Sequence, residues 1–184
     1  LKSGLVEIVA FCDCDANKLA EAKKALARDG VALDLAKIPF YTDYRRLLDD
    51  AGTLGVQAMT VSATDHTHAP VAIAAMKQGI HVFVQKPLVR TLWELDYFNK
   101  TAKEYGVVTQ MGNQGSSLTG FRRGVEVLNS GILGDVTEVH VWTNRPVWPQ
   151  GRNAVAAIGK VPSKPMPDAL NWDAWLATAQ ERPW

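Results

Sequence analysis

Short apolar runs alternate, over the first 111 residues, with longer segments in which apolar residues recur every three or four positions. Short runs rich in β-branched residues are typical of buried strands, whereas the three- to four-residue spacing is that of amphipathic helices. The predicted strands span residues 6–11, 38–41, 58–62, 82–84 and 107–111, the fourth with both faces buried. Because strand and helix alternate with short loops between them, the pattern predicts an α/β fold with a doubly wound parallel sheet.

Helix-start signals support this division of the chain. Asp15, Asp43 and Asp65 each stand where a side-chain oxygen can cap the helix that follows. Thr91 and Glu94 have the spacing of a capping box, in which each side chain bonds the other residue's backbone N–H.

The pattern changes after residue 111. The predicted elements there are a turn-rich loop at 112–115, a helix near 121–129, an alternating strand at 136–143, a proline- and glycine-rich excursion at 146–167 and a helix that begins at Asn171. We therefore predict a first domain over residues 1–115 and the beginning of a second over 116–184, with neither domain complete.

Charge and cysteine content narrow the class of function. With 20 basic and 19 acidic residues the formal net charge is +1, which gives no field that would select nucleic acid or an anionic membrane. Cys12 and Cys14 form no disulfide framework, and an isolated C-x-C is a weak metal signal, so no metal site is predicted. No apolar run approaches the length of a membrane span. We expect a cytoplasmic protein that acts on small molecules; secretion stays open, because the chain, without an initial Met, is expected to be a piece of a longer protein.

Lys86 is the first candidate for chemistry. It follows the strand at 82–84 and precedes Pro87, which disfavours helix at the residue before it and so holds Lys86 extended at the strand's carboxyl end. Ligands bind at that edge of open α/β sheets, where a lysine can donate to a hydroxyl or exchange a proton with it. The alternative is a solvated lysine in an ordinary loop.

Two further candidate site residues, Asp13 and His68, also lie on the carboxyl side of the predicted sheet. Asp13 follows the first strand, where an acidic residue of a dinucleotide-binding unit accepts from the adenosine ribose. His68 falls in the first turn of a helix, where the positive helix end favours a neutral ring able to bond a ligand. The alternative for Asp13 is a turn or cap residue, and the alternative for His68 is a surface histidine. For the neighbouring His66 we prefer the surface histidine.

Three motifs, taken together and in order, resemble one family. They are Val-Ser-Ala-Thr-Asp-His-Thr-His-Ala-Pro at 61–70, Gln-Lys-Pro at 85–87 and Met-Gly-Asn-Gln-Gly at 111–115. The chain resembles the Gfo/Idh/MocA oxidoreductases from about residue 6 to its end. The resemblance implies an N-terminal Rossmann domain, here without its first strand and glycine-rich turn, and a C-terminal α/β domain with an open sheet. It also implies hydride transfer between NAD(P) and a hydroxyl of a sugar, cyclitol or related polyol.

The resemblance also assigns roles to residues. It makes Asp13 the acceptor of the adenosine ribose, which favours NAD over NADP, and it makes Lys86 the catalytic residue. Cofactor contacts are expected from Asp13, Ser62, Ala63, His68, Gln85, Lys86, Asn113 and Gln114. Sugar contacts are expected from Asn144, Arg145 and Trp148, for which packing or solvent exposure is an equal alternative.

This sequence departs from the family's pattern in three places. Gln85 replaces the usual glutamate, Ala63 and Thr64 replace a common Thr-Pro pair, and no match is found for the family's later histidine that acts as acid or base.

Two other functions stay open. One is an NAD-dependent glycosidase that works by transient oxidation and elimination, and the other is a non-catalytic dinucleotide- or sugar-binding module. The expected partners are a small sugar or polyol and, through the C-terminal sheet, further copies of the same chain. Neither nucleic acid nor a membrane is expected as a partner.

Overall fold

The computed structural model describes residues 4–31, 33–145 and 164–184, and it divides into two compact units. The first unit comprises Leu1–Gly112 and Met166–Arg182, and the second comprises Asn113–Pro165 and Pro183–Trp184. The division into folding domains after residue 115 stays a prediction.

Strands and helices alternate through the first unit. In chain order the elements are β1 (Phe11–Cys12), α1 (Lys18–Arg28), β2 (Phe40–Tyr41), α2 (Tyr44–Leu54), β3 (Ala58–Val61), α3 (His68–Met76), β4 (His81–Gln85), α4 (Leu92–Glu104), β5 (Thr109–Gly112), α5 (Thr119–Asn129) and α6 (Trp172–Leu176). Short 3₁₀ helices cover Leu35–Lys37, Asp65–Thr67 and Gln114–Ser117. Of these elements, α5 and the last 3₁₀ helix belong to the second unit.

The strands form two parallel sheets. In one sheet β1 pairs with β2, and in the other β4 lies between β3 and β5. Val61 stands opposite Val84, and Gln85 stands opposite Gly112, so β3, β4 and β5 end at a common edge. The predicted α/β fold with parallel strands is confirmed, and it is a Rossmann-like fold.

The core is built around α3, which packs against β3, β4, α2 and α4. Val82 and Val84 of β4 are buried on this helix side of the sheet. Met76 of α3 and Phe98 of α4 are the largest apolar side chains with almost no exposed surface. Because this core underlies the carboxyl ends of β3 and β4, it gives the loops that follow them a rigid base.

Two of the predicted helix caps are confirmed. Asp43 is the N-cap of α2, and its Oδ1 accepts the backbone N–H of Arg45 at 2.9 Å. Thr91 and Glu94 form the predicted capping box of α4: Thr91 Oγ1 accepts from the Glu94 N–H at 3.1 Å, and Glu94 Oε2 accepts from the Thr91 N–H at 3.0 Å.

The other two predicted caps are wrong. Helix α1 has Asn17 as its N-cap, whereas Asp15 accepts the Asn17 N–H at 2.9 Å and so forms a turn before the helix. Asp65 lies inside a 3₁₀ helix that precedes α3 and does not cap that helix. In both places the chain makes a tight turn first, and the helix begins two residues later than the sequence pattern suggests.

Three strand predictions also need correction. The strand predicted at 6–11 is reduced to Phe11–Cys12, and the one predicted at 136–143 is not formed, because no described segment pairs with these residues. The strand that contains residues 82–84 is buried on one face, not two, since Phe83 on its other face is 41% exposed. Alternating or apolar sequence makes a strand possible, but hydrogen bonding to a neighbour is what forms it.

The second unit contains α5, which confirms the helix predicted near 121–129 and begins two residues earlier. None of its residues is buried, and Phe121, Val125 and Leu128 are exposed apolar side chains. The segment at 136–145 follows without regular secondary structure.

Candidate functional site

An open cavity of about 1210 Å³ in the first unit collects several of the predicted residues. Asp13, Ser62 and Ala63 line it, together with residues of β3 and the exposed face of β4. Asp13 follows β1, and Ser62 and Ala63 follow β3, so these residues line the carboxyl end of a cavity that also extends past the amino ends of β3 and β4, at Gln57 and His81. Loops at such an edge are the ones that bind ligands in open α/β sheets.

Asp13 is held at the end of β1 by its backbone and by one carboxylate oxygen. Its N–H donates to the Tyr41 carbonyl of β2 at 3.0 Å, and its Oδ1 accepts the N–H of Asp15 at 2.9 Å. Burial and the neighbouring Asp13 carboxylate raise the pKa of the Cys14 thiol, which favours a protonated thiol beside Asp13. The carboxylate is thus a fixed acceptor in a half-buried position.

The end of β4 combines a fixed backbone with an exposed amine. Gln85 Oε1 accepts the Lys86 N–H at 2.7 Å, and the Lys86 side chain is exposed. Among the described residues Lys86 forms no ion pair. Gly112 of β5 leaves the space that Gln85 occupies, since a Cβ there would lie 2.8 Å from Gln85 Oε1. The glutamine that replaces the family's glutamate therefore fixes the backbone that carries Lys86.

His68 is placed differently from the prediction. It is the first residue of α3, and its side chain has no exposed surface. Its Nδ1 lies 2.6 Å from the Pro87 carbonyl oxygen, and its Nε2 lies 3.1 Å from the Ala63 carbonyl oxygen. The expected ring open to a ligand is not found; the contact of His68 with a cofactor stays a prediction that this geometry does not favour.

The segment that carries α6 folds back onto the same edge, which sequence reasoning missed. The Asn171 N–H donates to the Cys14 carbonyl at 2.8 Å, and the Ala16 N–H donates to the Ala169 carbonyl at 2.9 Å. Trp175 is among the residues that line the cavity. The sequence predicted a helix that begins at Asn171, but no motif or periodicity predicted where that helix packs.

Two contacts join α6 to other elements of the first unit, one from His66 and one from Arg45 of α2. His66 Nε2 lies 2.6 Å from the Trp175 carbonyl oxygen, and the two rings lie 5.0 Å apart between centroids. Arg45 bonds both Asp43 and Asp173, and the two carboxylates raise its pKa above the ordinary arginine value. His66 is therefore a packed residue and not the surface histidine that we preferred from the sequence.

The remaining predicted residues belong to the second unit or lie outside the described residues. Asn113 precedes the 3₁₀ helix Gln114–Ser117, and its carbonyl accepts the Ser116 N–H at 3.2 Å. Asn144 and Arg145 are exposed in the segment without regular structure, where the Arg145 N–H donates to Thr143 Oγ1 at 3.2 Å. Trp148 lies outside the described residues. The predicted roles of Asn113, Gln114, Asn144, Arg145 and Trp148 stay predictions.

The described parts of the chain contain no candidate metal cluster and no helix suited to span a membrane. No group of three or more His, Cys, Asp and Glu side chains there could hold a metal ion. None of the helices described is both long enough and apolar enough to cross a bilayer.

Comparison with known proteins identifies relatives of this chain. The inositol 2-dehydrogenase of Salmonella typhimurium is 29% identical over 136 residues, which are 73% of this chain and 37% of the relative. The 2,7-anhydro-N-acetylneuraminate hydratase of Mediterraneibacter gnavus is 28% identical over 85 residues, 46% of this chain and 23% of the relative. The chain thus spans well under half the length of these two relatives.

A solved structure and a family model agree with these relatives. The crystal structure of myo-inositol 2-dehydrogenase from Lactobacillus plantarum superposes with a TM-score of 0.59 at 29% identity, over 71% of this chain and 35% of that one. A family model described as an oxidoreductase family with an NAD-binding Rossmann fold matches residues 2–113. The chain therefore belongs to the Gfo/Idh/MocA oxidoreductases, whose N-terminal part is an NAD-binding Rossmann fold.

Proposed function

We propose that the full-length protein is an NAD-dependent dehydrogenase that oxidises a secondary hydroxyl of an inositol, a sugar or a related polyol. The observation that carries the proposal is Lys86, which has a fixed backbone and an exposed amine at the carboxyl edge of the sheet. The inositol dehydrogenases among the relatives support the choice of a cyclic polyol as substrate class.

The residues present fit part of the cofactor. Asp13 supplies a fixed carboxylate acceptor for a ribose hydroxyl, and the exposed loop at Ser62 and Ala63 borders the same cavity. Residues 1–184 contain no G-x-G-x-x-G turn for the pyrophosphate. Cofactor binding is therefore to be measured on the full-length protein. A carboxylate at the ribose favours NAD, because it accepts from a 2′-hydroxyl and repels a 2′-phosphate.

Oxidation of a secondary alcohol to a ketone removes a hydride from carbon and a proton from oxygen. NAD supplies the hydride acceptor when bound. The Lys86 amine, at the strand end, can bond the substrate hydroxyl and take or relay its proton. The exposed position of the amine allows that contact, and the Gln85 bond to the Lys86 N–H limits how far the backbone can move.

The test of Lys86 is steady-state turnover of the full-length protein with NAD and a panel of inositols and sugars. Lys86→Ala is expected to lower kcat by roughly 10²- to 10⁴-fold, the usual contribution of a general acid or base. Lys100→Ala is the matched control, because Lys100 is an exposed lysine paired with Asp96 on α4. Turnover of the Lys86→Ala protein close to that of the wild type would refute the role of Lys86.

The choice of cofactor has its own test. Asp13→Asn keeps an acceptor for the Asp15 N–H but removes the charge, so NAD affinity is expected to fall about 10-fold while NADP affinity does not, as a charge-assisted bond is worth about 1.5–3 kcal/mol. Asp15→Asn is the control, since Asp15 borders the same cavity. Equal effects of the two substitutions on the ratio of NAD to NADP affinity would contradict the assignment.

The hydratase among the relatives supports a second candidate, a reaction on a cyclic sugar derivative without net oxidation. Cleavage or hydration of a glycoside or anhydrosugar without net NADH formation would favour it over the dehydrogenase. NAD and sugar binding without turnover, over the whole panel, would favour a binding module. The cytoplasmic location and assembly through the C-terminal sheet stay predictions.

A further inference from the structure

We infer that His68 is a positioning residue, whose buried ring holds the Lys86 segment in place by bonding the Pro87 carbonyl. Its catalytic consequence rests on the proposed function, whereas the contact itself can be tested without it. The inference gives His68 a role that needs no contact with cofactor or substrate.

The geometry of the ring is that of a bridge between two loops. His68 Nδ1 lies 2.6 Å from the oxygen of Pro87, and Nε2 lies 3.1 Å from the oxygen of Ala63. Pro87 belongs to the segment after β4 and Ala63 to the segment after β3. One rigid ring therefore spans the two segments that leave the carboxyl edge of the sheet.

Hydrogen-bond chemistry says which nitrogen must donate. A carbonyl oxygen only accepts, so a ring nitrogen bonds it only when that nitrogen carries hydrogen. A neutral imidazole has one N–H and can satisfy one of the two carbonyls, whereas the doubly protonated ring satisfies both. We assign the hydrogen of a neutral ring to Nδ1, because that nitrogen lies nearer to its carbonyl oxygen.

Lys86 lies between two anchors as a result. On one side Gln85 Oε1 accepts the Lys86 N–H, and on the other side the carbonyl of the following residue, Pro87, accepts from His68. The peptide group before Lys86 and the one after Pro87 are thereby bonded, while the Lys86 side chain is exposed. Because His68 has no exposed surface, water does not compete for the Pro87 oxygen from the ring's side.

Two substitutions of similar size separate the two ring contacts. His68→Asn places an amide nitrogen near the position of Nδ1, and His68→Gln places one near the position of Nε2. In carbon-labelled protein, the Pro87 carbonyl resonance is expected to stay close to wild type in the Asn variant and to move in the Gln variant. The Ala63 carbonyl is expected to do the reverse. Equal movement of the Pro87 resonance in both variants would overturn the inference.

A matched control comes from the same turn. Thr67 is buried, and its hydroxyl donates to the Thr64 carbonyl at 2.8 Å. Thr67→Val removes that bond from the loop after β3, and it is expected to leave the Pro87 resonance in place. A shift of Pro87 in this variant as large as in His68→Gln would mean that any disturbance of the turn moves the Lys86 segment, which would also overturn the inference.

The catalytic consequence is measured on the full-length protein. His68→Gln is expected to lower kcat about 10-fold more than His68→Asn, with the same KM for NAD in both, since a small misplacement of a reacting group costs up to about 10²-fold. Equal loss of kcat in the two variants would refute positioning. If the two variants show the predicted carbonyl shifts while the wild-type protein turns over no substrate, the contact is supported and the proposed function is refuted.

A measurement on the unsubstituted protein covers the case in which both variants fail to fold. Long-range proton–nitrogen spectra report which ring nitrogen carries hydrogen. A slowly exchanging proton on Nδ1 of His68 supports the inference, and an Nδ1 without a proton overturns it.

Discussion

Asp43 offers a perturbation whose two contributions to stability can be separated. Its Oδ1 accepts the Arg45 N–H at 2.9 Å and so caps α2, while Arg45 Nε and Nη2 donate to the same carboxylate at 2.9 and 2.8 Å. The side chain of Asp43 is 16% exposed, and that of Arg45 is 50% exposed. Asp43→Ala removes both the cap and the ion pair, whereas Asp43→Asn keeps a capping oxygen and loses the charge.

The magnitudes follow from this geometry. Loss of an N-cap costs about 0.5–2 kcal/mol. The ion pair contributes about 0–1 kcal/mol, because half of the guanidinium faces solvent. We expect Asp43→Ala to lower the free energy of unfolding by about 1–2.5 kcal/mol and Asp43→Asn by less than about 1 kcal/mol.

The pH dependence has a definite sign. The hydrogen bonds from Arg45 lower the pKa of Asp43 in the folded chain, so the pair stabilises the fold above the carboxyl pKa of the unfolded chain, near about pH 4. That contribution is lost as the pH falls through the folded pKa. The difference between wild type and Asp43→Asn should therefore shrink on acidification, whereas the capping deficit of Asp43→Ala should not vanish.

Urea unfolding followed by circular dichroism, at neutral pH and below the folded pKa of Asp43, measures these differences. Asp49→Asn is the control, since Asp49 pairs with Arg46 at 3.5 Å with both side chains largely exposed. Stability losses of equal size for Asp43→Asn and Asp43→Ala would refute the capping argument. A gap between wild type and Asp43→Asn that widens in acid would refute the argument on the charge.

Three further substitutions test other parts of the first unit. Thr91→Ala should cost about 1 kcal/mol by urea unfolding, with Thr91→Ser nearly neutral, because serine retains the capping hydroxyl that Glu94 bonds. Phe98→Ala should cost about 3–5 kcal/mol, because this ring is 1% exposed in the core; a loss below about 1 kcal/mol would contradict that packing. Gly112→Ala should cost about 1 kcal/mol and displace the Gln85 carboxamide, seen as a shift of the amide that it bonds; an unchanged amide resonance would contradict the close approach.

Features that depend only on residues close together in the sequence, such as helix caps and single strands, could be predicted. The capping box at Thr91, the cap at Asp43 and the strand before Lys86 need only a few adjacent positions, and the structure has all three. Asp15 and Asp65 have the same composition signal as Asp43, but each takes part in a tight turn. The competition between a turn and a cap is decided by backbone geometry that a residue type does not specify.

Contacts between distant parts of the chain could not be predicted. The strand expected at 136–143 has the right alternation, but no described segment is placed to pair with it. The His66 contact with Trp175 joins positions 109 residues apart, and no periodicity or motif carries such information. The same holds for the burial of His68, whose residue type is common at surfaces and whose ring the fold turns inward.

The nine residues of α3 differ from an ordinary surface helix, since none of them is exposed. By contrast, α1 has no buried residue. In a saturation library selected for folded protein, most substitutions across His68–Met76 should therefore be depleted, without the three- to four-residue periodicity of a half-exposed helix. Alanines such as Ala72 and Ala75, with 0% exposed surface, should tolerate glycine or serine better than any larger side chain. The stretch of chain that supports Lys86 from beneath would then be the one with the least freedom to vary.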